Sequence, residues 1–152
     1  MGRRVLPRIC IVLSLALLPA CASMQRAQVQ GDSPPLGESK GAAIEVCTPN
    51  GQRAYLSRLI CPSGEPVAFR RVGSFGPRVA LPRTASETER DAMYKTMSSY
   101  EALQPGEPDV HIVDGYELTC GTSKRLLYLD MYHCATAPRE FAPAGYTLRP
   151  AK

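Results

Sequence analysis

The sequence predicts a small α+β domain, mostly β, in which two related β-hairpin units are stapled by disulfides and separated by one helix. Three observations support this fold class. Four cysteines form two pairs, Cys47 with Cys61 and Cys120 with Cys134, and each pair is 14 positions apart. Strand-forming residues flank turn residues in both units, and a capped amphipathic segment lies between the units.

The first element of the chain is a targeting segment rather than part of the fold. Arg3, Arg4 and Arg8 precede an apolar run over residues 9–18. A run of about ten residues is too short to cross a bilayer core, which takes roughly twenty. A positive flank, a short apolar stretch and small residues after it are typical of a secretory signal, here residues 1–20.

The residues that end this segment, Leu18-Pro19-Ala20-Cys21, resemble the lipobox of bacterial lipoproteins. The resemblance implies that lipid is attached to the Cys21 thiol and that the signal is removed just before it. Because Ala22 rather than aspartate follows Cys21, the resemblance also implies an outer-membrane anchor that faces the periplasm. The alternative is ordinary signal cleavage near Ala20 or Ala22, which would release a soluble protein.

A flexible, lipid-anchored tether is predicted over residues 21–43. Residues 22–43 are polar and small, include Pro34-Pro35 and show no sustained periodicity. This composition is typical of linkers that form no packed core. The remaining residues, 44–152, are enough for a single small periplasmic domain.

The formal net charge of +4 belongs mainly to the targeting segment. Without the three arginines of that segment the charge falls to about +1, which is far from the basic footprint of a nucleic-acid-binding domain. We therefore expect no nucleic-acid partner.

The four cysteines of the domain predict two disulfides, because Cys10 leaves with the signal and Cys21 takes lipid. Their pairing stays open. Along a straight hairpin Cys134 would lie roughly 30 Å from Cys120, whereas a bridge needs Cα atoms within about 7 Å. That distance favours bridges between the units, whereas a duplicated unit favours a bridge within each.

The two units are predicted over about residues 44–72 and 110–141. Thr48-Pro49-Asn50-Gly51 predicts the turn of the first unit and Gly121-Thr122-Ser123-Lys124 that of the second, since proline, asparagine and glycine favour turns. Segments 54–56 and 127–129 share a Tyr-Leu pair in the aligned units. The best strand candidates are 110–120 and 125–134, followed by 67–72 and 146–149.

One helix is predicted over about residues 87–103, between the units. Ser86 and Glu89 fit a capping box at its start. Four apolar residues recur at helical spacing, which predicts packing against the sheet or, alternatively, partner binding. These residues are Met93, Met97, Tyr100 and Leu103.

The two histidines, His111 and His133, are predicted to lie near each other on neighbouring strands. The predicted register places His133 opposite Ile112, beside His111. Asp130 or Asp114 would then add an oxygen to a His-His-carboxylate metal site. The favoured interpretation is two surface histidines, with no metal and no other cofactor.

Alternation along the second strand of the second unit places Tyr128, Asp130 and Tyr132 on one face and Leu127 and Leu129 on the other. The leucine face suits the core. The tyrosine face is a candidate binding ladder, since tyrosine is enriched at interfaces. The preferred interpretation is cross-strand packing beside a disulfide.

No catalytic motif is found in the sequence, which has neither a Gly-x-Ser-x-Gly elbow nor a phosphate loop with its lysine. The prediction is a lipid-anchored cell-envelope protein, not an enzyme, that binds an envelope protein as a scaffold, accessory factor or inhibitor. The alternative is a small envelope metal-binding protein or enzyme that uses His111, His133 and Asp130.

Overall fold

The computed structural model describes residues 35–137 and 140–151. The predicted signal segment, the lipobox with Cys21 and the tether up to residue 34 lie outside the described residues. In the part of the chain that is described, no helix is both long and apolar enough to cross a membrane.

The described residues form a mixed α/β fold in which strands predominate, as the coarse fold class predicts. The elements are β1 (Ile44–Glu45), α1 (Thr48–Arg58), β2 (Leu59–Ile60), β3 (Ala68–Pro77), α2 (Glu87–Thr96), β4 (Ile112–Cys120), β5 (Ser123–Asp130) and β6 (Thr147–Leu148). A four-stranded sheet has the order β1-β5-β4-β3. In it β1 runs parallel to β5, whereas the β5–β4 and β4–β3 pairs are antiparallel. The short strands β2 and β6 form a separate antiparallel pair.

The β4–β5 hairpin confirms the strongest strand pair of the sequence analysis. Its loop is the two residues Gly121-Thr122, so that Cys120 lies opposite Ser123. Gly121 has a φ of 58°, which glycine adopts without the steric cost that other residues meet. The predicted turn of four residues, 121–124, would place Cys120 opposite Arg125. The register differs from that prediction by two positions because the loop has only two residues.

The predicted first hairpin is wrong, because residues 48–51 begin helix α1 instead of forming a turn. Pro49 lies in the first turn of α1, where a missing backbone N–H costs nothing. The helix then buries Gln52, Tyr55 and Leu56, which fall at i, i+3 and i+4 on one face. The equal cysteine spacing therefore does not reflect a duplicated unit.

Helix α2 begins as predicted and ends earlier than predicted. The Ser86 hydroxyl accepts a hydrogen bond from the Glu89 backbone, and the Glu89 carboxylate accepts one from the Ser86 backbone, which completes the capping box. The helix ends at Thr96, and none of its residues is fully buried. The predicted packing face is therefore smaller than expected. Met93 and Met97 are half-buried, whereas Tyr100 lies beyond the end of the helix and is exposed.

The hydrophobic core lies between α1 and one face of the sheet. Leu127 and Leu129 of β5 are fully buried there, as the alternation predicts. At the opposite edge of the sheet from β1, strand β3 is largely exposed. The buried apolar cluster comprises Ile44, Val46, Tyr55, Leu56, Leu59, Cys61, Val67, Tyr116, Leu118, Leu127 and Leu129.

Both disulfides join the first cysteine-bearing segment to the second. Cys47 bonds to Cys134 with a Cα–Cα distance of 4.6 Å, and Cys61 bonds to Cys120 with 5.7 Å. Of the two alternatives, bridges between the two predicted units are therefore correct. The distance of roughly 30 Å along a straight hairpin favoured this pairing.

The folded domain starts before residue 44. The Gly37 carbonyl accepts a hydrogen bond from the Tyr128 backbone N–H at 2.9 Å, and Gly37 and Ala43 are buried. The predicted boundary between tether and domain, after residue 43, was too late. Polar and small residues can join a fold by hydrogen bonds between their backbone and a strand.

A substitution of Gly37 tests this N-terminal packing. Its φ is 77°, and a Cβ at this position would collide with Leu127 Cδ1. Gly37→Ala should therefore lower the free energy of unfolding by about 2 kcal/mol or more, through backbone strain and overpacking. Urea denaturation of the full chain measures this. Gly41→Ala is the matched control, since a Cβ there meets nothing within 4 Å; equal effects of the two substitutions would contradict the packing of Gly37.

Candidate metal centre

Four potential metal ligands meet where β4 begins and β5 ends. Asp109 and His111 lie just before β4, Asp130 is the last residue of β5, and His133 follows it. Because the strands are antiparallel, with Val113 opposite Asp130, the two pairs of side chains reach the same end of the sheet.

The ligand atoms of these residues already lie close to one another. One ligand atom from each of Asp109, His111, Asp130 and His133 falls within 4.8 Å of all the others. His133 Nε2 is 3.0 Å from Asp109 Oδ2 and 3.1 Å from Asp130 Oδ2. Metal–ligand bonds of about 2.1 Å place tetrahedral ligand atoms about 3.4 Å apart, which is close to these two separations.

His111 is the unusual member of the group. It is only 1% exposed, yet neither of its ring nitrogens has a hydrogen-bond partner among the described residues. Nδ1 lies 2.9 Å from Asp109 Oδ1 but is not aligned for a hydrogen bond. A buried polar atom without a hydrogen bond costs roughly 1–3 kcal/mol, so a metal ion bound to a His111 ring nitrogen would offset part of this cost.

Arg78 supplies a positive charge beside the same oxygens. Its Nη1 is 3.2 Å from Asp109 Oδ2 and 3.6 Å from Asp130 Oδ2, while Nη2 is 3.0 Å from Glu45 Oε1. The Arg78 side chain is mostly buried, which strengthens these interactions relative to a surface pair. An ion entering the group would compete with Arg78 for the two aspartates.

The electrostatics of the group favour a charged His133 when no ion is present. Burial disfavours the imidazolium, but the contacts with Asp109 and Asp130 raise the pKa of His133 from 6.5 to about 9. Burial also raises the pKa of Asp109, but the contacts with His111 and His133 and the charge of Arg78 outweigh it and hold that pKa far below its usual range. The proton on His133 is therefore a second competitor for any metal ion.

The structure brings together three of the predicted metal candidates and separates the fourth. His111, His133 and Asp130 meet, although the favoured interpretation of surface histidines was wrong for the buried His111. Asp114 lies apart, where its carboxylate accepts hydrogen bonds from Arg71. Sequence reasoning missed Asp109, whose position two residues before His111 was the available signal.

The candidate binding residues Tyr128, Asp130 and Tyr132 do not form an exposed ladder. Asp130 is fully buried and Tyr132 is 7% exposed. Tyr132 stacks on His111, with ring centroids 5.4 Å apart, and Tyr128 packs edge-to-face against Phe75 at 5.2 Å. These contacts agree with the preferred interpretation of packing. Tyr132 forms one wall beside Asp109, His111, Asp130 and His133, the candidate metal-ligating group.

Comparison of the chain with protein-family models, with curated proteins and with solved structures finds no match. The interpretation of this centre therefore depends on its own geometry and chemistry.

The raised pKa of His133 predicts a specific pH dependence of stability. The stabilisation from its ion pairs should be fully present below pH 6.5 and lost as the pH rises through about 9. A shift of this size corresponds to roughly 3 kcal/mol. Urea unfolding of the metal-free full chain at pH 6 and pH 9.5 should show this loss.

The matched variant for this measurement is His133→Gln, which keeps a polar side chain but takes no proton. The variant should lack the loss between pH 6 and pH 9.5. If the wild type and the variant lose stability equally over that interval, the assigned ion pairs of His133 are wrong.

Proposed function

We propose that this chain is a lipid-anchored cell-envelope protein that acts by binding, and that its domain binds a divalent transition-metal ion through Asp109, His111, Asp130 and His133. The observation that carries the metal proposal is His111, a buried imidazole beside two carboxylates and a second imidazole. Its ring nitrogens make no well-aligned hydrogen bond among the described residues, although Nδ1 lies 2.9 Å from Asp109 Oδ1. The proposal joins the main prediction from the sequence with its metal-binding alternative.

The donor set is suited to zinc. Two imidazole nitrogens and two carboxylate oxygens match the ligands that Zn²⁺ takes in tetrahedral sites. Calcium and magnesium prefer oxygen ligands alone, and the copper and iron sites rich in thiolate need free cysteines. The cysteines of the domain are all paired in disulfides.

The geometry supports binding rather than catalysis. Catalytic zinc sites usually have three protein ligands and an open position, whereas four protein ligands close a tetrahedral site. A cavity of about 180 Å³ lined by His111, Tyr132, His133 and Cys134, among others, gives an ion a route to the group. We therefore propose a bound ion as a structural or sensing element of a non-enzymatic protein.

The envelope location rests on the sequence of the N-terminal segment. Arg3, Arg4 and Arg8, the apolar run after them and Leu18-Pro19-Ala20-Cys21 support export and lipidation. Two disulfides agree with an oxidising compartment such as the periplasm. The partner that we propose is an envelope protein.

Zinc binding is tested by isothermal titration of the metal-free full chain. We expect one equivalent to bind, and His111→Ala and His133→Ala each to weaken binding by about a hundredfold or more, since even outer-shell partners contribute 10- to 100-fold. Asp91→Asn is the matched control, because Asp91 is exposed on α2 and outside the group.

Two results would contradict the metal proposal. The first is the absence of any zinc binding by the wild-type chain at pH 8. The second is binding by His111→Ala at wild-type affinity with retained folding, because surface carboxylates would then explain the signal.

Lipidation is tested separately through Cys21. Wild-type chain expressed in a Gram-negative host should incorporate labelled fatty acid and sediment with membranes, and Cys21→Ala should do neither. If the wild type takes up no label and Cys21→Ala still fractionates with membranes, the proposed lipid anchor is wrong.

A further inference from the structure

A second cavity, which none of the four candidate metal ligands lines, lies between α1 and the C-terminal tail. Its volume is about 660 Å³, within the usual range of small-molecule pockets, roughly 300–1,000 Å³. It is larger than the cavity of about 180 Å³ beside His111 and His133. No step of the metal proposal uses it.

Small residues on one face of α1 create the cavity. Gly51, Ala54, Tyr55 and Arg58 follow one another at helical spacing and all line it. Because Gly51 and Ala54 have little or no side chain, the space beside the helix is left open. The tail at Pro150 forms the facing wall.

The two walls are held together by fixed hydrogen bonds. The Arg149 backbone N–H donates to the Arg58 carbonyl at 2.9 Å, and Arg58 Nε donates to the Arg149 carbonyl at 2.6 Å. The Tyr55 hydroxyl donates to the Phe141 carbonyl at 2.7 Å. The cavity is therefore preformed, which reduces the entropy lost when a ligand binds.

Among the described residues, one positive charge at the polar end of the cavity is paired with no carboxylate. Arg58 forms a salt bridge with Glu140, so these charges balance. The Arg149 guanidinium donates to the Ser57 carbonyl at 3.3 Å, and within the described residues it pairs with no carboxylate. A guanidinium with free donors beside the apolar part of a cavity is suited to a carboxylate or a similar anion.

We propose that this cavity binds a small organic anion, a single carboxylate attached to an apolar body. The apolar body lies against Val46, Ala54 and Pro150, and the carboxylate accepts hydrogen bonds from Arg149. The site is independent of the metal ion, so its ligand should bind equally well in the presence of a chelator.

Octanoate is the probe for this site, with octanamide as its neutral analogue. In calorimetric titrations of the full chain with a chelator present, octanoate should bind with one-to-one stoichiometry and octanamide more weakly. Arg149→Gln should weaken octanoate binding about tenfold, the usual effect of losing one charge-assisted hydrogen bond. The same substitution should leave octanamide binding unchanged.

A second set of variants tests the location. Ala54→Trp should fill the cavity and abolish octanoate binding. If that variant does not fold, Ala54→Leu takes its place, because leucine is a strong helix former; it should weaken octanoate binding. Arg53→Trp is the matched control, because Arg53 is exposed on the same helix and does not line the cavity; it should bind as the wild type does.

Three outcomes would overturn the proposal. In the first, octanoate does not bind at millimolar concentration. In the second, octanoate and octanamide bind equally well and Arg149→Gln has no effect. In the third, a folded Ala54 variant binds octanoate as well as the wild type does. None of these outcomes bears on zinc binding, so the failure of this proposal is distinguishable from the failure of the metal centre.

Discussion

The antiparallel pairing of β4 with β5 fixes the positions on which both the core and the metal-ligating group depend. Its register is set by the two-residue loop Gly121-Thr122. A slip of one residue would turn Leu127 and Leu129 from the core toward the other face. It would also carry Asp130 away from Asp109, so the register that buries the leucines is the one that assembles the charged group.

The charged group is stabilised by the interactions that also oppose ion binding. Asp130 is fully buried, and a buried carboxylate costs several kcal/mol unless opposite charges and hydrogen bonds compensate it. Arg78 and the protonated His133 provide this compensation without a metal. An ion bound as proposed would have to displace the proton of His133 and compete with Arg78 for the two aspartates. Its affinity would therefore depend on pH and on the position of one arginine.

Local patterns in the sequence predicted the elements that depend on nearby residues. Alternation identified the β4–β5 hairpin and its leucine face, and Ser86 with Glu89 located the start of α2. The first hairpin was predicted wrongly from Thr48-Pro49-Asn50-Gly51, because proline suits both a β-turn and the first turn of a helix. The helix forms because it buries Gln52, Tyr55 and Leu56 on one face. α2 ended early because its face meets little of the core.

The metal-ligating group was predicted only in part for a similar reason. His111, His133 and Asp130 follow from strand pairing, which a sequence pattern can suggest. Asp109 and Arg78 lie in connecting segments, and their approach to the group depends on tertiary contacts that no local spacing encodes. The large cavity was also missed, since it arises from the meeting of α1 with a tail that is distant in sequence.

The two disulfides have a topological consequence beyond cross-linking. The Cys61–Cys120 bridge lies inside the loop that Cys47–Cys134 closes. Residues 47–61 and 120–134 therefore form a covalent ring of roughly 30 positions. Once either bridge has formed, the other has only this ring of residues to close. Relative to the open 87-residue separation of Cys47 and Cys134, the entropic cost of the second closure falls by about 1 kcal/mol. Helix α1, strand β5, Asp130 and His133 all belong to this ring, so they stay tied together even when the sheet opens.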